Sequence, residues 1–248
     1  WIEINSYLME KKIKFNSGIS VGIFGGTFDP PHWGHIKLAA HFAKLLKLDE
    51  LIWLPSGEPW QKSLHITPAN NRYAMTIAAA EVLTQILHHQ ESLPIKITVS
   101  TLEIDRKGPS YTIDSAKALR QQYGGDTALI WLMGADSFLQ LPTWNQWDEL
   151  TQLIHIAVAS RPPYAIKSQL TTPLIEHYQN HQTRNPEKLS QQVSGLIYLD
   201  EELAIDLASS QLRVLLEHNK AAQAIQDWIP ASVMQIITEK GLYQSKVR

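Results

Sequence analysis

The chain has 248 residues, enough for one large domain, and its 44% hydrophobic and 19% charged residues exclude wholesale disorder. Its 22 basic and 24 acidic residues give a net charge of −2, so no basic excess indicates binding to nucleic acid or to an anionic membrane. The chain has no cysteine, which excludes disulfides and thiol catalysis, and no apolar run of about 18 residues, so we expect a cytoplasmic protein without a membrane span.

Residues 1–18 are predicted to be an N-terminal extension, because charged side chains interrupt their apolar ones, and a signal peptide is not expected there. From Ser20 onward, short apolar runs bounded by glycine, proline or polar residues are typical of strands. Two of these runs are apolar at nearly every position, as in a sheet covered on both faces. The predicted strands are Ser20–Phe24, Glu50–Leu54, Ile95–Val99, Thr127–Met133, Ile154–Ala159 and Gly195–Leu199.

Segments with helical periodicity alternate with these strands. Thr67, Ser110 and Thr112 are side chains that favour the start of a helix. The alternation predicts an α/β fold, a Rossmann-like doubly wound parallel sheet with helices on both faces and further helices at the C-terminus. The predicted helices run from His35 to about Leu46, from Thr67-Pro68 onward, and over Ser110–Tyr123, Trp144–Leu153, Asp206–Glu217 and Pro230–Lys240.

A single domain is predicted for residues 19–248, with its C-terminal helical part at 206–248. Residues 164–194 are polar and lack a firm period, which predicts an insertion with one helix near Leu174–Tyr178. In doubly wound sheets, ligands bind at the carboxyl ends of the strands. The turns expected to line one crevice there are Gly25-Gly26, Gly57, Gly134–Asp136 and Arg161.

The stretch from Phe24 to His35 passes from a strand through paired glycines to the start of a helix, where His32 lies three residues before His35. One interpretation is that these histidines only cap or pack the helix. Zinc would need a third ligand at a supporting spacing, and acyl transfer would need a Gly-x-Ser-x-Gly elbow; the sequence has neither. Phosphate suits the site, because glycines let the backbone approach a ligand and a helix N-terminus offers free N–H groups and partial positive charge.

The sequence Gly-Gly-Thr-Phe-Asp-Pro-Pro-His-Trp-Gly-His at 25–35 resembles the His-x-Gly-His signature of the nucleotidyltransferase superfamily. The longer string Gly-Ile-Phe-Gly-Gly-Thr-Phe-Asp-Pro at 22–30 resembles one branch of it, the bacterial nicotinate-nucleotide adenylyltransferases. This resemblance implies that Gly25, Gly26, Thr27 and Phe28 contact ATP. It also implies that His32 and His35 are catalytic, His35 contacting ATP as well, and that both donate hydrogen bonds to the phosphoryl group in transfer.

Further segments resemble those that bind the mononucleotide in this family. Leu54–Lys62 is similar to the Leu-Pro-x-Gly-x-Pro-Pro-His-Lys loop, although Trp60 and Gln61 replace its Pro-His pair. Pro109–Asp114 contains the family's Pro-Ser-Tyr-Thr, and Trp144 is placed like the tryptophan that stacks on the pyridine ring, while a core role for this tryptophan stays open. We expect the mononucleotide to contact Lys62, Tyr111, Thr112, Trp144 and Arg161.

Two segments resemble the family's ATP-binding segments. Met133–Ser137 is similar to its Gly-x-Asp turn. Leu207–Arg213 is similar to Ile-Ser-Ser-Thr-x-Ile-Arg, with Ala208 in place of the first serine. We expect further ATP contacts from Gly134, Asp136, Ser209, Ser210 and Arg213.

The resemblance implies that nicotinate mononucleotide and ATP react to give nicotinate adenine dinucleotide and pyrophosphate, with His32, His35, Lys62 and Arg213 as catalytic residues. The attacking phosphate is already ionised at neutral pH, so no general base is needed, and the task is to align two anions. Mg²⁺ is expected with ATP, held mainly by phosphate oxygens and water, without a metal site of the protein. A homo-oligomer is left open. The alternatives are another His-x-Gly-His transferase, such as one acting on pantetheine phosphate, and a non-catalytic nucleotide sensor.

Overall fold

The computed structural model describes residues 18–58, 66–160, 166–203, 209–217, 225 and 227–244. Several sequence predictions fall outside the described residues. These are the predictions for the N-terminal extension up to residue 17, Trp60, Gln61, Lys62, Arg161 and Ala208.

The described strands form one seven-stranded parallel sheet with the order β3-β2-β1-β4-β5-β7-β6. From β1 the chain runs outward through β2 to β3 and then returns to the other side of β1 to form β4. The connections after β1 and β4 therefore diverge, and a crevice is left at the carboxyl ends of these two strands. The strands are β1 Ser20–Gly26, β2 Glu50–Pro55, β3 Lys96–Val99, β4 Ala128–Gly134, β5 His155–Ala159, β6 Gln182–Thr183 and β7 Ile197–Asp200.

Helices cover both faces of the sheet, which confirms the predicted doubly wound α/β fold. A π-helical turn, Ile86–Gln90, extends the second helix, and 3-10 turns occupy Leu141–Thr143 and Trp147–Glu149. The helices are α1 Trp33–Leu45, α2 Ala69–Gln85, α3 Thr112–Tyr123, α4 Ala135–Leu139, α5 Leu150–Leu153, α6 Ile166–Gln169, α7 Leu174–His181, α8 Lys188–Gln191, α9 Ser209–Glu217 and α10 Ala231–Glu239.

Alternate side chains of the central strands enter two apolar cores, one on each face of the sheet. Phe24 of β1 packs with α1, α2 and α10, whereas its neighbour Ile23 packs with α3 and α4. This period of two is what a strand buried on both faces requires. No helix among the described residues is long and apolar enough to cross a membrane.

The predicted helix over Trp144–Leu153 is wrong. Gln146 adopts a left-handed conformation, with φ 48°, which interrupts helical geometry, and only Leu150–Leu153 are α-helical. The helix α4 was not predicted, because five residues are too short to show a period. The predicted insertion holds α6, α7, β6 and α8, and β6 pairs with β7 at the edge of the sheet.

The predicted helix caps at Thr67, Ser110 and Thr112 are also wrong. Pro68 and Tyr111 occupy the cap positions of α2 and α3, and neither makes a side-chain cap hydrogen bond. The Ser110 hydroxyl instead accepts hydrogen bonds from two backbone N–H groups of the loop after β2. Ser110, which suits a helix cap, therefore makes a tertiary contact instead.

Candidate active site

A cleft of about 370 Å³ opens at the carboxyl ends of β1 and β4, where the topology leaves the crevice. Most of the described residues that the sequence analysis singled out line it, whereas Gly57, Tyr111 and Thr112 do not. Those that line the cleft are Gly25, Gly26, Thr27, Phe28, His32, His35, Gly134, Asp136, Trp144, Ser209, Ser210 and Arg213.

The paired glycines lie directly against aromatic rings. A Cβ atom at Gly25 would stand 2.3 Å from the indole of Trp131, and one at Gly26 would stand 2.9 Å from the ring of Phe28. Both distances are shorter than a carbon–carbon contact allows, so side chains at these positions would displace the rings. Glycine therefore lets the backbone of the turn run between the apolar core and the cleft.

The two histidines form a hydrogen-bonded pair with their rings in contact at the start of α1. His32 is the N-cap, and its backbone N–H donates to Nδ1 of His35 at 3.2 Å. The ring centroids are 3.8 Å apart with an angle of 32° between the planes. Because Nδ1 of His35 accepts a hydrogen bond, the neutral ring carries its proton on Nε2. His35 is then a hydrogen-bond donor through Nε2.

The N-terminal end of α1 faces the cleft, which Gly34 and His35 line. This helix of 13 residues has no acidic side chain in its first turn, so its partial positive charge is not neutralised there. Two of the N–H groups of that turn are already used, since Trp33 N–H donates to the carbonyl of Trp228 and His35 N–H to the carbonyl of His32, both at 2.9 Å. The arrangement suits an anion in the cleft.

Asp29 lies in the turn between the glycines and the histidines, and its side chain is buried. Its Oδ1 accepts a hydrogen bond from the Tyr243 hydroxyl at 2.5 Å, and its Oδ2 accepts one from Thr67 N–H at 3.2 Å. Its backbone carbonyl accepts a hydrogen bond from Nη1 of Arg213 at 2.7 Å. Asp29 therefore connects the turn to three distant segments of the chain.

The segment at the start of α9 contacts the same turn. Ser209 Oγ donates to the carbonyl of Pro30 at 3.1 Å, next to the Arg213 contact with Asp29. The resemblance predicted that Ser209 and Arg213 contact the phosphates of ATP. In this structure both line the cleft and both also hold the turn.

Sequence reasoning missed Arg72, a buried arginine of α2. Its guanidinium donates to the carbonyls of Thr27 at 2.9 Å, Gly57 at 2.8 Å and Thr67 at 2.9 Å. Burial lowers the pKa of Arg72, and the nearby Asp29 carboxylate opposes that shift. The signal that could have identified Arg72 is its position, since it is a charged residue three positions before Met75 on the buried face of a predicted helix.

A second buried group lies behind the loop that follows β2. The Glu103 carboxylate accepts a hydrogen bond from Ser115 Oγ at 2.6 Å, and burial raises the pKa of Glu103. Nearby, Ser110 Oγ accepts from Gly57 N–H at 3.0 Å and from Glu58 N–H at 3.2 Å. The segment that contains Tyr111 therefore lies beside the loop leading to Lys62, outside the lining of the cleft.

Comparisons with known proteins agree on one family. Residues 23–239 match the family model described as cytidylyltransferase-like. The chain is 33% identical over 226 residues to a probable nicotinate-nucleotide adenylyltransferase of Herminiimonas arsenicoxydans, covering 91% of this chain and 97% of that relative. It is 33% identical over 222 residues to the protein of the same description from Pectobacterium atrosepticum, covering 89% and 97%.

A solved structure supports the fold. The chain is similar to the Plasmodium falciparum nicotinic acid mononucleotide adenylyltransferase complexed with NaAD, with a TM-score of 0.67. The match covers 91% of this chain and 98% of that one at 18% sequence identity.

Proposed function

The chain belongs to the cytidylyltransferase-like family and, within it, to the nicotinate-nucleotide adenylyltransferases, and from this we propose that its cleft transfers the adenylyl group of ATP to nicotinate mononucleotide. The products are nicotinate adenine dinucleotide and pyrophosphate. The observation that supports this most is the position of His35: a hydrogen-bond donor beside a helix N-terminus, in the cleft at the switch point of the sheet.

In the proposed reaction an ionised phosphate oxygen of the mononucleotide attacks the α-phosphorus of ATP. The new phosphorus–oxygen bond forms as the bond to the bridging oxygen of pyrophosphate breaks, and that oxygen leaves with the electron pair. No proton needs to be removed from the nucleophile, so no general base is required. Catalysis then consists of alignment and of stabilising the charge on the oxygens around the phosphorus.

The described residues supply the donors for this task. We assign His35 Nε2 and the first turn of α1 to the oxygens of the α-phosphoryl group, with the ring of His32 in contact with that of His35. Arg213 adds positive charge at the same cleft, and the hydroxyls of Ser209 and Ser210 add hydrogen-bond donors. The backbone at 25–27 lies along the nucleotide, and Gly134 and Asp136 at the end of β4 belong to the same ATP site.

For the acceptor, we assign the ring of Trp144 to the pyridine, because it lines the cleft on the β4 side. Tyr111 and Thr112 are assigned to the mononucleotide together with Lys62 and Arg161. Ser110 supports the first pair by holding their segment to the loop after β2.

Mg²⁺ fits the cleft as part of the ATP complex. Asp136 is the single carboxylate among the described residues that line the cleft, and the described residues contain no group of three metal-ligating side chains. Magnesium commonly keeps several waters and binds through one or two carboxylates plus substrate phosphates. When bound, it would neutralise part of the phosphate charge, with Asp136 as its protein contact.

An acceptor panel tests the proposal. The protein is incubated with ATP and Mg²⁺ and with nicotinate mononucleotide, nicotinamide mononucleotide or pantetheine phosphate, and pyrophosphate is measured. We expect pyrophosphate and the dinucleotide with nicotinate mononucleotide. Release only with pantetheine phosphate would indicate the other transferase, and nucleotide binding without release for any acceptor would indicate a sensor. A competition between the two mononucleotides then measures the preference for the carboxylate over the amide.

A further inference from the structure

The C-terminal segment after α10 reaches back to the glycine–histidine turn. The Tyr243 hydroxyl donates to Oδ1 of Asp29 at 2.5 Å, although the two residues are 214 positions apart. The other carboxylate oxygen of Asp29 is bonded to Thr67 N–H. Asp29 is 1% exposed, so its charge is separated from water and depends on these donors.

Tyr243 is placed by the way α10 ends. Gly241 adopts a left-handed conformation with φ 57°, its N–H donates to the carbonyl of Thr238, and Leu242 N–H donates to the carbonyl of Ile237. This pair of bonds is the Schellman motif, which reverses the chain after a helix. The reversal directs Tyr243 toward the turn.

Two further observations show that the surrounding structure holds Tyr243 in this position. The Lys240 ammonium donates to Oδ1 of Asn71 at 2.9 Å, which fixes the end of α10 on the start of α2. Tyr243 itself has φ 60°, a conformation that costs a non-glycine residue free energy. A strained residue persists where its surroundings hold it, and here the Tyr243 hydroxyl donates to Asp29 and also lies 4.0 Å from Sδ of Met75.

The Tyr243 hydroxyl is a hydrogen-bond donor that does not lose its proton. Burial and the neighbouring Asp29 carboxylate raise the pKa of Tyr243, so the hydroxyl keeps its proton throughout the physiological range. Two cations lie near it: the guanidinium of Arg72, and Arg213, whose Nη1 donates to the carbonyl of Asp29. The Asp29 side chain therefore lies among two cations and two neutral donors.

We propose that Tyr243 is a positioning residue for the transfer reaction, acting through Asp29 on the histidine pair. Asp29 precedes Pro30 and Pro31, whose fixed φ angles leave little freedom before His32. The His32 N–H in turn orients His35 through Nδ1. A shift of Asp29 is therefore transmitted to the donor at the cleft. This inference rests on the proposed function for its kinetic effect.

Kinetics of Tyr243→Phe test the proposal. We expect kcat to fall about tenfold, because a small misplacement of a catalytic group is costly, while the KM values for both substrates change less than about threefold. Tyr198→Phe is the matched control, since its hydroxyl also donates to a buried aspartate, Asp200, and it does not line the cleft. We expect the control to retain wild-type kcat.

A double-mutant cycle separates positioning from general stability. In the Asp29→Asn background the acceptor is weakened, so Tyr243→Phe should cause little further loss of kcat. Equal losses in both backgrounds, or a kcat of Tyr243→Phe within about twofold of wild type, would overturn the proposal. Thermal melts of all variants identify any that fail to fold.

A readout without turnover keeps this inference separate from the proposed function. Nitrogen NMR of the imidazole of His35 reports its tautomer and hydrogen bonding, whatever the substrate is. Tyr243→Phe should shift these signals and Tyr198→Phe should not. Unchanged signals would refute the positioning role even if the adenylyl transfer is found, and shifted signals would support it even if a different acceptor is found.

Discussion

The backbone N–H of His32 donates to Nδ1 of His35 at 3.2 Å, and this bond assigns the role of the second histidine. A second proton on that ring would turn Nδ1 into a donor and break the bond. With Nδ1 accepting, the proton of the neutral ring lies on Nε2, so His35 presents a hydrogen-bond donor to the cleft rather than a base. The arrangement agrees with a reaction whose nucleophile is already ionised.

His35→Ala should lower kcat about 100-fold or more, with a much smaller change in the KM for ATP. The reason is that a hydrogen bond to developing charge is stronger in the transition state than in the ground state. Steady-state kinetics measure both constants. His89→Ala, at an exposed position outside the lining of the cleft, is the control and should retain wild-type kcat. Near-normal turnover of His35→Ala would exclude this role.

Trp144→Ala should weaken binding of nicotinate mononucleotide about tenfold and leave ATP binding nearly unchanged, because stacking on a base contributes roughly 1–3 kcal/mol. Titration calorimetry with each substrate measures the two affinities. Trp144→Phe keeps an aromatic face and should fall between the variant and wild type. If mononucleotide affinity is unchanged while the melting temperature drops, Trp144 is a core residue instead.

Arg72→Lys should lower the free energy of unfolding by about 2–4 kcal/mol, because a lysine cannot reproduce the fork that satisfies three buried carbonyls. Urea unfolding measures the loss. The exposed Arg184→Lys is the matched control and should change stability by less than about 0.5 kcal/mol. A loss of similar size in both variants would contradict the role given to Arg72.

His155 should make the fold sensitive to acid. Its Nδ1 accepts from Leu196 N–H at 3.0 Å, so Nε2 carries the proton and donates to the carbonyl of Gln192 at 2.9 Å. Burial lowers the pKa of His155 from 6.5 to about 4. Because the folded-state pKa is below the unfolded one, the unfolded chain binds the proton first. The contribution of His155 to the free energy of unfolding is therefore complete above about pH 6.5 and is lost as the pH falls toward 4.

Unfolding free energies measured between pH 7 and pH 4 check this sensitivity. From the shift in pKa we expect wild type to lose about 3 kcal/mol through His155 over this range. His155→Gln presents a similar acceptor and donor without titrating, so its loss should be smaller by about that amount. Parallel pH curves for the two proteins would contradict the assignment.

The fold was largely predictable because its strands are buried on both faces and its helices alternate with them. The parallel sheet and the position of the crevice follow from that pattern. The short elements were not predictable. The helix α4 has five residues, and the left-handed Gln146 breaks a segment whose side chains suit a helix.

In the site, the glycine–histidine turn could be recognised because its residues are contiguous. Arg72 and Tyr243 could not be assigned, since each contacts the turn across a long separation in the chain. Likewise, Ser110 suits a helix cap locally, but its hydroxyl bonds to the loop after β2. Local preference predicts a residue's own segment and says little about which distant backbone group it will meet.

The central claim is that the cleft moves the adenylyl group itself. The most direct measurement uses ATP labelled either at the α-phosphorus or at the γ-phosphorus, with Mg²⁺ and nicotinate mononucleotide. The account predicts that the α-label appears in the dinucleotide and the γ-label in pyrophosphate, and that neither label moves without the acceptor. A γ-label in the nucleotide product, or an α-label found only in free AMP, would contradict it.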